Sequence, residues 1–339
     1  MNTSKDGIMK VLHVGNLASV GYYLVRGLRR IGVDAELFDW RNTNIIAREE
    51  VDWIHGPTGK LTDKYALKSL KIGDYDIIHL HYLHSDYNVV QSLKHISRAG
   101  NPVKFVHSHD SINDGTRNFL PMLKSAVVRF GARAVFFSTP NILDNISHFP
   151  QKKIFLPNPV DTRLFSPTDS NVIMDRMLCW VKLDPMKGYE IVADAMKLAP
   201  DIGFDVPEVG ELVPIFKGHL PRNMRFIKPV AHFDAPKLLA QYPVVLEQFI
   251  VGAFGMSGLE AMACAKPVIS YWKEGNDSFY PEPCPVVSAR TPEEIVAAIS
   301  ETLPEFRKIG QASREWVQKY HSAENVAKRL LVEYETALD

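Results

Sequence analysis

The chain has 339 residues, more than one hydrophobic core usually supports, so we expect two domains, although a single α/β barrel also fits this length. Lysine plus arginine and aspartate plus glutamate balance at 39 each, which disfavours a nucleic-acid-binding protein because such proteins carry a positive field. Hydrophobic residues make up 46%, enough for two cores and too many for long disordered stretches.

Cysteine usage and the N-terminus indicate a cellular compartment. Cys179, Cys264 and Cys284 fit neither a disulfide framework nor a CxxC metal site, so we expect buried thiols in a reducing compartment. Residues 1–7 are polar and lack the apolar core of a signal peptide, and no apolar run approaches the length that spans a bilayer. The predicted location is the cytoplasm.

Strand and helix patterns alternate along the first part of the chain. The apolar run at 9–14 enters a loop at Gly15, a helical pattern follows that stops at Gly32, and 35–38 indicates a second strand. Further strand patterns lie at 76–80, 103–106 and 134–137, and helical patterns lie near 89–96 and 120–130. This alternation predicts a doubly wound domain.

The second part of the chain repeats the alternation. The prolines of 156–161 and the polar stretch 166–170 predict a domain boundary. Strand patterns follow at 177–181, 244–246 and 268–271, and helical patterns at 189–197, 259–264 and 323–338. Residues 201–237 contain prolines and glycines that interrupt every periodicity, so they receive no assignment.

A glycine-rich turn at 252–260, leading into a helix, is the strongest candidate for a phosphate site. Its small residues let backbone amides approach a phosphate, although such turns are as often purely structural. Lys182 ends a predicted strand and Lys187 precedes the next helix, so both can reach the same carboxyl edge of the sheet. Two cations there would stabilise a departing diphosphate, whereas the alternative is that both are solvated loop charges.

Three segments carry a resemblance to a known family. LPNPVDTRLFSP at 156–167 resembles the linker motif of the retaining GT-B glycosyltransferases of family 4. FGMSGLEAMACAKPVIS at 254–270 resembles their donor-site signature, and KLDPMKG at 182–188 is similar to their basic loop. The resemblance implies the GT-B fold, with two Rossmann-like doubly wound domains facing across a cleft. The acceptor-side domain would span residues 1–165 and the donor domain 166–339, with the C-terminal helix able to pack back on the first domain.

The resemblance also implies roles for single residues. Lys182 and Lys187 would hold the donor diphosphate. Glu260 would accept hydrogen bonds from the ribose hydroxyls, unless it only complements the helix dipole. The remaining implied donor-binding residues lie in two glycine-containing turns: Gly21, Gly252, Gly255, Met256 and Ser257. For Gly21, an ordinary turn or helix-start glycine is an equally good interpretation.

Histidines follow two of the predicted strands. His109 resembles the family's histidine near the reacting sugar, where a neutral imidazole both donates and accepts hydrogen bonds. A hydrogen-bonded loop histidine is the structural alternative. His79 and His81 alternate at a strand end and are interpreted as packing or loop residues. Together with His107 and His109 they do not predict zinc, because no cysteine or carboxylate at suitable spacing accompanies them.

The chain departs from the family pattern in two places. The family usually has a glutamate that contacts the donor sugar where this chain has Gly252, which puts the sugar and even turnover in question. Lys182 stands where an arginine is usual, which keeps the charge and loses the bidentate fork. Glu247 and Gln248, at the end of the preceding strand, are the hypothesised replacements for the missing sugar contact.

The resemblance implies a retaining transfer of a hexose-type sugar from a nucleotide-diphosphate sugar to a glycan, lipid or small-molecule acceptor. It implies neither a cofactor nor a metal. Residues 119–130 combine apolar and basic residues and could lie on an anionic membrane at the inner face, although a core-facing helix is the commoner explanation. The alternatives are a nucleotide-sugar binding or partner subunit without turnover, suggested by Gly252, and an epimerase, which would need carboxylates in the cleft.

Overall fold

The computed structural model describes residues 9–39, 52–55, 70–81, 96, 102–109, 128, 130–147, 149–218 and 221–339. These residues form two compact units. The first unit falls within Met1–Pro159 and Ala323–Asp339, and the second is Val160–Ser322. No helix in the described ranges has the length and apolar character needed to cross a membrane.

Thirteen strands are present among the described residues: β1 (Lys10–Val14), β2 (Asp34–Phe38), β3 (Ile54–His55), β4 (Ile77–His81), β5 (Val103–Ser108), β6 (Ala134–Phe137), β7 (Lys152–Phe155), β8 (Arg176–Cys179), β9 (Gly203–Pro207), β10 (Met224–Ile227), β11 (Val245–Leu246), β12 (Val268–Ser270) and β13 (Val287–Ser288). The α-helices of the described residues are α1 (Val20–Arg30), α2 (Leu143–Ile146), α3 (Tyr189–Leu198), α4 (Val213–Lys217), α5 (Ala235–Ala240), α6 (Met256–Ala263), α7 (Pro292–Thr302), α8 (Phe306–Tyr320) and α9 (Ala323–Leu338).

The first unit is built on a parallel sheet of seven strands in the order β3-β2-β1-β4-β5-β6-β7. Strands β1 and β4 are buried almost throughout, as expected for a parallel sheet covered on both faces. The C-terminal helix α9 belongs to this unit and lies against α1. At this contact an added Cβ on Gly27 would come within 2.3 Å of the Ala323 carbonyl oxygen, so glycine permits the close approach of the two helices.

The second unit contains a parallel sheet of six strands in the order β10-β9-β8-β11-β12-β13. In both sheets the chain order reverses at one pair of neighbouring strands, β1 with β4 and β8 with β11. This is the doubly wound arrangement, in which ligands bind beyond the carboxyl ends of the strands at the reversal. The predicted α/β fold of two doubly wound halves is confirmed.

The predicted elements that fall on described residues are confirmed, with ends that differ by at most three residues. The unassigned segment 201–237 contains β9, α4 and β10. Strand β9 carries Asp205 at its centre, wholly buried and paired with Arg176 at 2.5 Å and Arg225 at 2.7 Å. The helical patterns at 89–96 and 120–130, including the proposed membrane-binding segment, lie outside the described residues except for Ile96, Val128 and Phe130.

Candidate functional site

The reversal point of the second sheet brings together the ends of β8 and β11. Lys182 lies beyond the end of β8 and its side chain is exposed. Glu247 and Gln248 follow β11 directly, and both are buried. The polar residues that the sequence singled out around these strands therefore follow adjacent strands of one sheet.

Lys187 is held against the loop that follows β11. The chain reaches it through a single 3-10 turn, Pro185–Lys187, and then enters α3 at Gly188, whose φ of 72° is readily adopted by glycine. The Lys187 ammonium donates to Gln248 Oε1 at 3.1 Å, and the Phe249 amide donates to the Lys187 carbonyl at 3.2 Å. This cation therefore sits beside the glycine-rich loop rather than in open solvent.

The glycine-rich loop ends at the N-terminus of α6. Gly252 has a φ of 73°, and an added Cβ would lie 2.9 Å from Tyr271 Cε1. Gly255 is the N-cap of α6 and supplies no side chain to bond the first-turn amides. The amides of Met256 and Ser257 belong to that first turn and have no partner within the helix, so the end of α6 carries a partial positive charge.

The Glu247 side chain is held by hydrogen bonds to this loop. Its Oε1 accepts from the Gly255 amide and from Ser257 Oγ, both at 3.2 Å. Its Oε2 accepts from the Gln248 amide at 3.0 Å and lies 3.3 Å from Ser270 Oγ, which donates its proton to the closer Gln248 carbonyl at 2.7 Å. Burial raises the pKa of Glu247, and the nearby Lys187 opposes that shift.

Gln248 is engaged in the same way. Its Oε1 accepts from Lys187, and its Nε2 donates to the Ala253 carbonyl. The hypothesis that Glu247 and Gln248 contact the donor sugar stays a prediction. The contacts that the structure gives them hold the loop and orient Lys187.

Glu260 lies on α6, one turn after Met256, and its carboxyl is buried. Burial raises its pKa to about 8. His232 Nδ1 is 3.8 Å from Glu260 Oε1, beyond hydrogen-bond distance, and burial lowers the pKa of His232 to about 4. The Trp180 indole, which directly follows β8, has a buried Nε1, and its hydrogen bonding to Glu260 opposes the rise in the pKa of that carboxyl. The buried Glu260 carboxyl, which can accept several hydrogen bonds, is thus able to accept further ones from a ligand.

The turn between β1 and α1 is the corresponding feature of the first unit. Ala18 and Ser19 have φ values of 47° and 65°. Residues other than glycine rarely adopt such positive φ values, and those that do are concentrated at functional sites. Gly21 is the second residue of α1, and an added Cβ would lie 2.4 Å from the Gly15 carbonyl oxygen. Glycine at 21 is required by this close approach, and its implied contact with a donor phosphate stays a prediction.

His109 lies one residue beyond β5 and belongs to a closed circuit of hydrogen bonds at the carboxyl end of the first sheet. We call this circuit the histidine ring, and its seven members in order of contact are His13, His81, His109, Ser138, His107, His79 and Tyr334. The bonds of His109 run from Nε2 to His81 Nδ1 at 2.8 Å and from Nδ1 to Ser138 Oγ at 2.7 Å. Both imidazole nitrogens of the predicted catalytic histidine therefore have partners within the first unit.

The remaining bonds of the histidine ring have similar lengths. They join His13 to His81 at 2.9 Å, Ser138 to His107 at 2.8 Å, His107 to His79 at 3.2 Å, His79 to Tyr334 at 2.6 Å and Tyr334 to His13 at 3.2 Å. Burial lowers the pKa of His13 and of His109 to about 3, and burial followed by repulsion among the imidazoles keeps the pKa values of the other three well below 6.5. All five imidazoles are thus neutral near pH 7.

Three members of the histidine ring also form a group that could hold a metal ion. His79, His81 and His107 offer nitrogen atoms within 4.8 Å of one another. Both nitrogens of each already take part in the hydrogen bonds of the histidine ring. The sequence prediction of no metal site is not tested by these distances.

Sequence reasoning placed His107 and His109 at a strand end but interpreted His79 and His81 as packing or loop residues, and it did not single out Ser138 or Tyr334. Alternation was the available signal, because residues two apart on a strand share a face of the sheet. Strand register then pairs His13 with His79 and His81 with His107. The contribution of Tyr334 from α9 has no local signature.

Comparison with known proteins gives one match to a family model and several solved structures of similar fold. A family model described as "Glycosyl transferase-like" matches residues 190–332. No curated protein matches the chain in sequence. HepE from Anabaena, solved with UDP and glucose, superposes with a TM-score of 0.74 at 15% identity, covering 97% of this chain and 100% of its own.

Two further solved structures share the architecture. Sucrose-phosphate synthase from Thermosynechococcus elongatus has a TM-score of 0.72 at 15% identity, covering 97% of this chain and 99% of its own. The catalytic domain of starch synthase IV from Arabidopsis thaliana, bound to ADP and acarbose, has a TM-score of 0.68 at 12% identity, covering 98% and 99%. The chain has the α/β GT-B fold, and the family match together with this fold supports a glycosyltransferase.

Proposed function

We propose that the chain is a retaining glycosyltransferase of family 4, which transfers a hexose-type sugar from a nucleotide-diphosphate sugar to a glycan, lipid or small-molecule acceptor. The family match over 190–332 covers most of the second unit, including the glycine-rich loop and Glu260, and begins just after Lys187. HepE was solved with UDP-glucose and starch synthase IV with ADP, so proteins of this fold bind nucleotides of the proposed class.

The observation that carries the proposal is the arrangement around α6. Lys187 is fastened to the loop that leads into this helix, the first-turn amides of Met256 and Ser257 lack helical partners, and Glu260 follows one turn later. A cation beside a helix N-terminus attracts a diphosphate. The spacing from Met256 to Glu260 suits a nucleotide that places its phosphates at the end of the helix and its ribose hydroxyls on the buried carboxyl.

The proposed chemistry uses charge stabilisation and positioning. As the sugar–phosphate bond breaks, negative charge develops on the leaving diphosphate, and Lys182, Lys187 and the α6 amides would stabilise it. The acceptor hydroxyl would attack from the face that the diphosphate is leaving, and the leaving phosphate oxygen would take its proton. This route needs no protein nucleophile, no metal and no cofactor, because fixed cations and amides supply the electrostatic stabilisation.

The presence of glycine at position 252 supports a second candidate function, that of a nucleotide-sugar binding or partner subunit without turnover. An added side chain at this position meets Tyr271, and the neighbouring carboxylate of Glu247 is bonded to three internal donors. The glutamate contact that the resemblance implies is therefore missing at position 252, and a sugar contact from Glu247 or Gln248 stays a prediction. The two candidates differ in a single outcome, the release of free nucleoside diphosphate.

The test combines binding with turnover. Purified protein is screened by thermal shift against UDP, GDP and ADP sugars, and a stabilising donor is then assayed for nucleoside-diphosphate release. We expect Lys187→Ala to weaken donor binding at least tenfold, with a smaller effect for the exposed Lys182→Ala. Lys308→Ala is the matched control because its side chain is 84% exposed on α8. Binding without release would favour the second candidate, and equal affinities for the Lys187 and Lys308 variants would contradict the donor site.

We further propose a cytoplasmic enzyme that can contact the inner face of a membrane through residues 119–130. The support is the basic and apolar composition of that segment in the sequence. Retention on anionic liposomes at low salt, lost when Lys124 and Arg129 are replaced by glutamine, would be the expected result. Failure of the unmodified protein to bind such liposomes would rule out the membrane contact.

A further inference from the structure

The histidine ring has a fixed number of protons. A neutral imidazole has one N–H donor and one acceptor nitrogen, and a serine or tyrosine hydroxyl donates one proton and accepts another. Seven groups are joined by seven hydrogen bonds, so seven protons are needed and seven are present. Each member donates once and accepts once, which leaves no polar atom of the ring unpaired.

Closure couples the tautomers of all five histidines. If His13 donates from Nδ1 to His81, then His81 must donate from Nδ1 to His109, and the same direction continues around the whole circuit. The reverse direction requires every histidine to donate from Nε2. The ring therefore has two complete arrangements, one with five Nδ1–H tautomers and one with five Nε2–H tautomers. If the five imidazoles had different tautomers, or if one of them were protonated, two hydrogen-bond donors would point at each other somewhere in the ring.

The surroundings favour this neutral ring over a metal site. His13, His79, His81 and His107 are fully buried, and no carboxylate joins the three-histidine group in the described part of the chain. A divalent ion there would leave a double positive charge in an apolar setting, lined by Phe105 and Phe136. It would also cost several hydrogen bonds that are now satisfied.

We propose that the histidine ring holds His109 as a neutral imidazole of one tautomer, shared with the other four histidines, and that Ser138 and Tyr334 are positioning residues for the sugar-transfer step. The positioning role rests on the proposed function, whereas the shared tautomer does not. A sugar hydroxyl donates one proton and accepts one, as Ser138 does between two imidazoles. It can therefore enter the circuit beside His109 and preserve the proton count, which an ammonium or a carboxylate cannot.

The shared tautomer is tested by NMR on protein labelled with 15N-histidine. Long-range 1H–15N spectra distinguish Nδ1–H, Nε2–H and doubly protonated rings, and histidine-to-glutamine variants assign the five signals. We expect five neutral imidazoles of one tautomer that do not titrate between pH 6 and 8. A mixture of tautomers, titration in this range, or stoichiometric Zn²⁺ binding that is lost in His79→Gln would overturn the proposal.

The positioning role is tested with variants that open or preserve the circuit. Tyr334→Phe and Ser138→Ala remove a hydroxyl, and we expect each to lower kcat about tenfold with little change in the KM for the donor. Ser138→Thr keeps the hydroxyl and should restore kcat. The open-ring variants should also gain an acidic limb in the pH profile of kcat, because His109 is no longer confined to a neutral partner set.

The two measurements separate the possible failures. One tautomer with unchanged kcat in Tyr334→Phe and Ser138→Ala would overturn the positioning role and leave the proposed transferase intact. If the unmodified protein binds donors without turnover, the proposed transferase fails, while the NMR result still decides the shared tautomer. A fall in kcat in Ser138→Ala that Ser138→Thr does not rescue would also count against positioning.

Discussion

Glu260 gives the sharpest prediction, a proton released when the nucleotide binds. Burial raises its pKa to about 8, so at pH 7 about nine in ten ligand-free molecules carry a protonated Glu260. Two ribose hydroxyls that donate to this carboxyl favour its ionised form, which accepts both. We therefore expect about 0.9 protons to be released per bound donor at pH 7, with affinity rising about tenfold from pH 6 to 7 and levelling above pH 8.

The assay is titration calorimetry of a nucleotide sugar at pH 7 in two buffers with different heats of ionisation. A nucleotide sugar is the better ligand because its two phosphates keep a constant charge over this range. The difference between the observed enthalpies gives the number of protons released. Glu260→Gln should abolish the release and weaken binding at pH 8.5 by about ten- to a hundredfold, the effect of losing hydrogen bonds to a charged group.

Glu305→Gln is the matched control, since this glutamate is 55% exposed at the start of α8. It should leave both the affinity and the proton release unchanged. If the unmodified protein binds the donor tightly with no proton release and with the same affinity from pH 6 to 8.5, then Glu260 is not the ribose acceptor, and the reasoning from its burial is refuted.

Three further predictions concern stability, each measured by urea unfolding. Gly252→Ala and Gly275→Ala both place a side chain at a positive φ, which should lower the free energy of unfolding by about 1–2 kcal/mol in each variant. Only at position 252 does the added Cβ also meet Tyr271, so we expect that variant to lose about 1–3 kcal/mol more. Equal losses in the two variants would contradict this prediction. Glu247→Gln turns one acceptor into a donor facing internal donors and should cost about 1–3 kcal/mol, whereas an unchanged midpoint would mean that the loop does not depend on this carboxylate. The five histidines of the histidine ring have pKa values below 6.5 in the folded protein, so the unfolded chain binds protons before the folded protein does as the pH falls. The free energy of unfolding should therefore decrease below pH 6.5, by up to about 1.4 kcal/mol per pH unit for each histidine. Ser138→Ala should make this decrease less steep.

The fold could be predicted because buried parallel strands leave a strong local pattern. The runs at β1, β5, β6 and β12 are short and apolar and are bounded by glycine or polar residues, so a single sequence suffices to locate them. Strand β9 could not be found in this way, because prolines and glycines interrupt the pattern around it and a charged residue, Asp205, lies at its centre. That carboxylate is tolerated only because Arg176 and Arg225 approach it from neighbouring strands, and the sequence alone does not predict such pairing.

The candidate site could be predicted in position but less well in contacts. The motif pointed to Lys187, the glycine-rich loop and Glu260, and the structure brings Lys187 to that loop through Gln248. What sequence reasoning missed is that both oxygens of Glu247 accept hydrogen bonds from the loop that follows β11 and from the first turn of α6. The orientation of a buried carboxylate depends on the packing of several elements, so a local sequence pattern does not predict it.

The two sheets reverse their strand order in the same way, yet the chemistry at the two reversal points differs. In the second unit, the positive charge of Lys187 is incompletely satisfied, because its ammonium has three donors and makes one side-chain hydrogen bond among the described residues. In the first unit, the histidine ring is neutral and every donor has an acceptor. Unsatisfied charge is what an anionic nucleotide can bind, whereas a satisfied circuit of neutral groups can exchange one member only for another hydroxyl. The same topology therefore suits the second unit to a diphosphate and the first to the uncharged hydroxyls of a sugar.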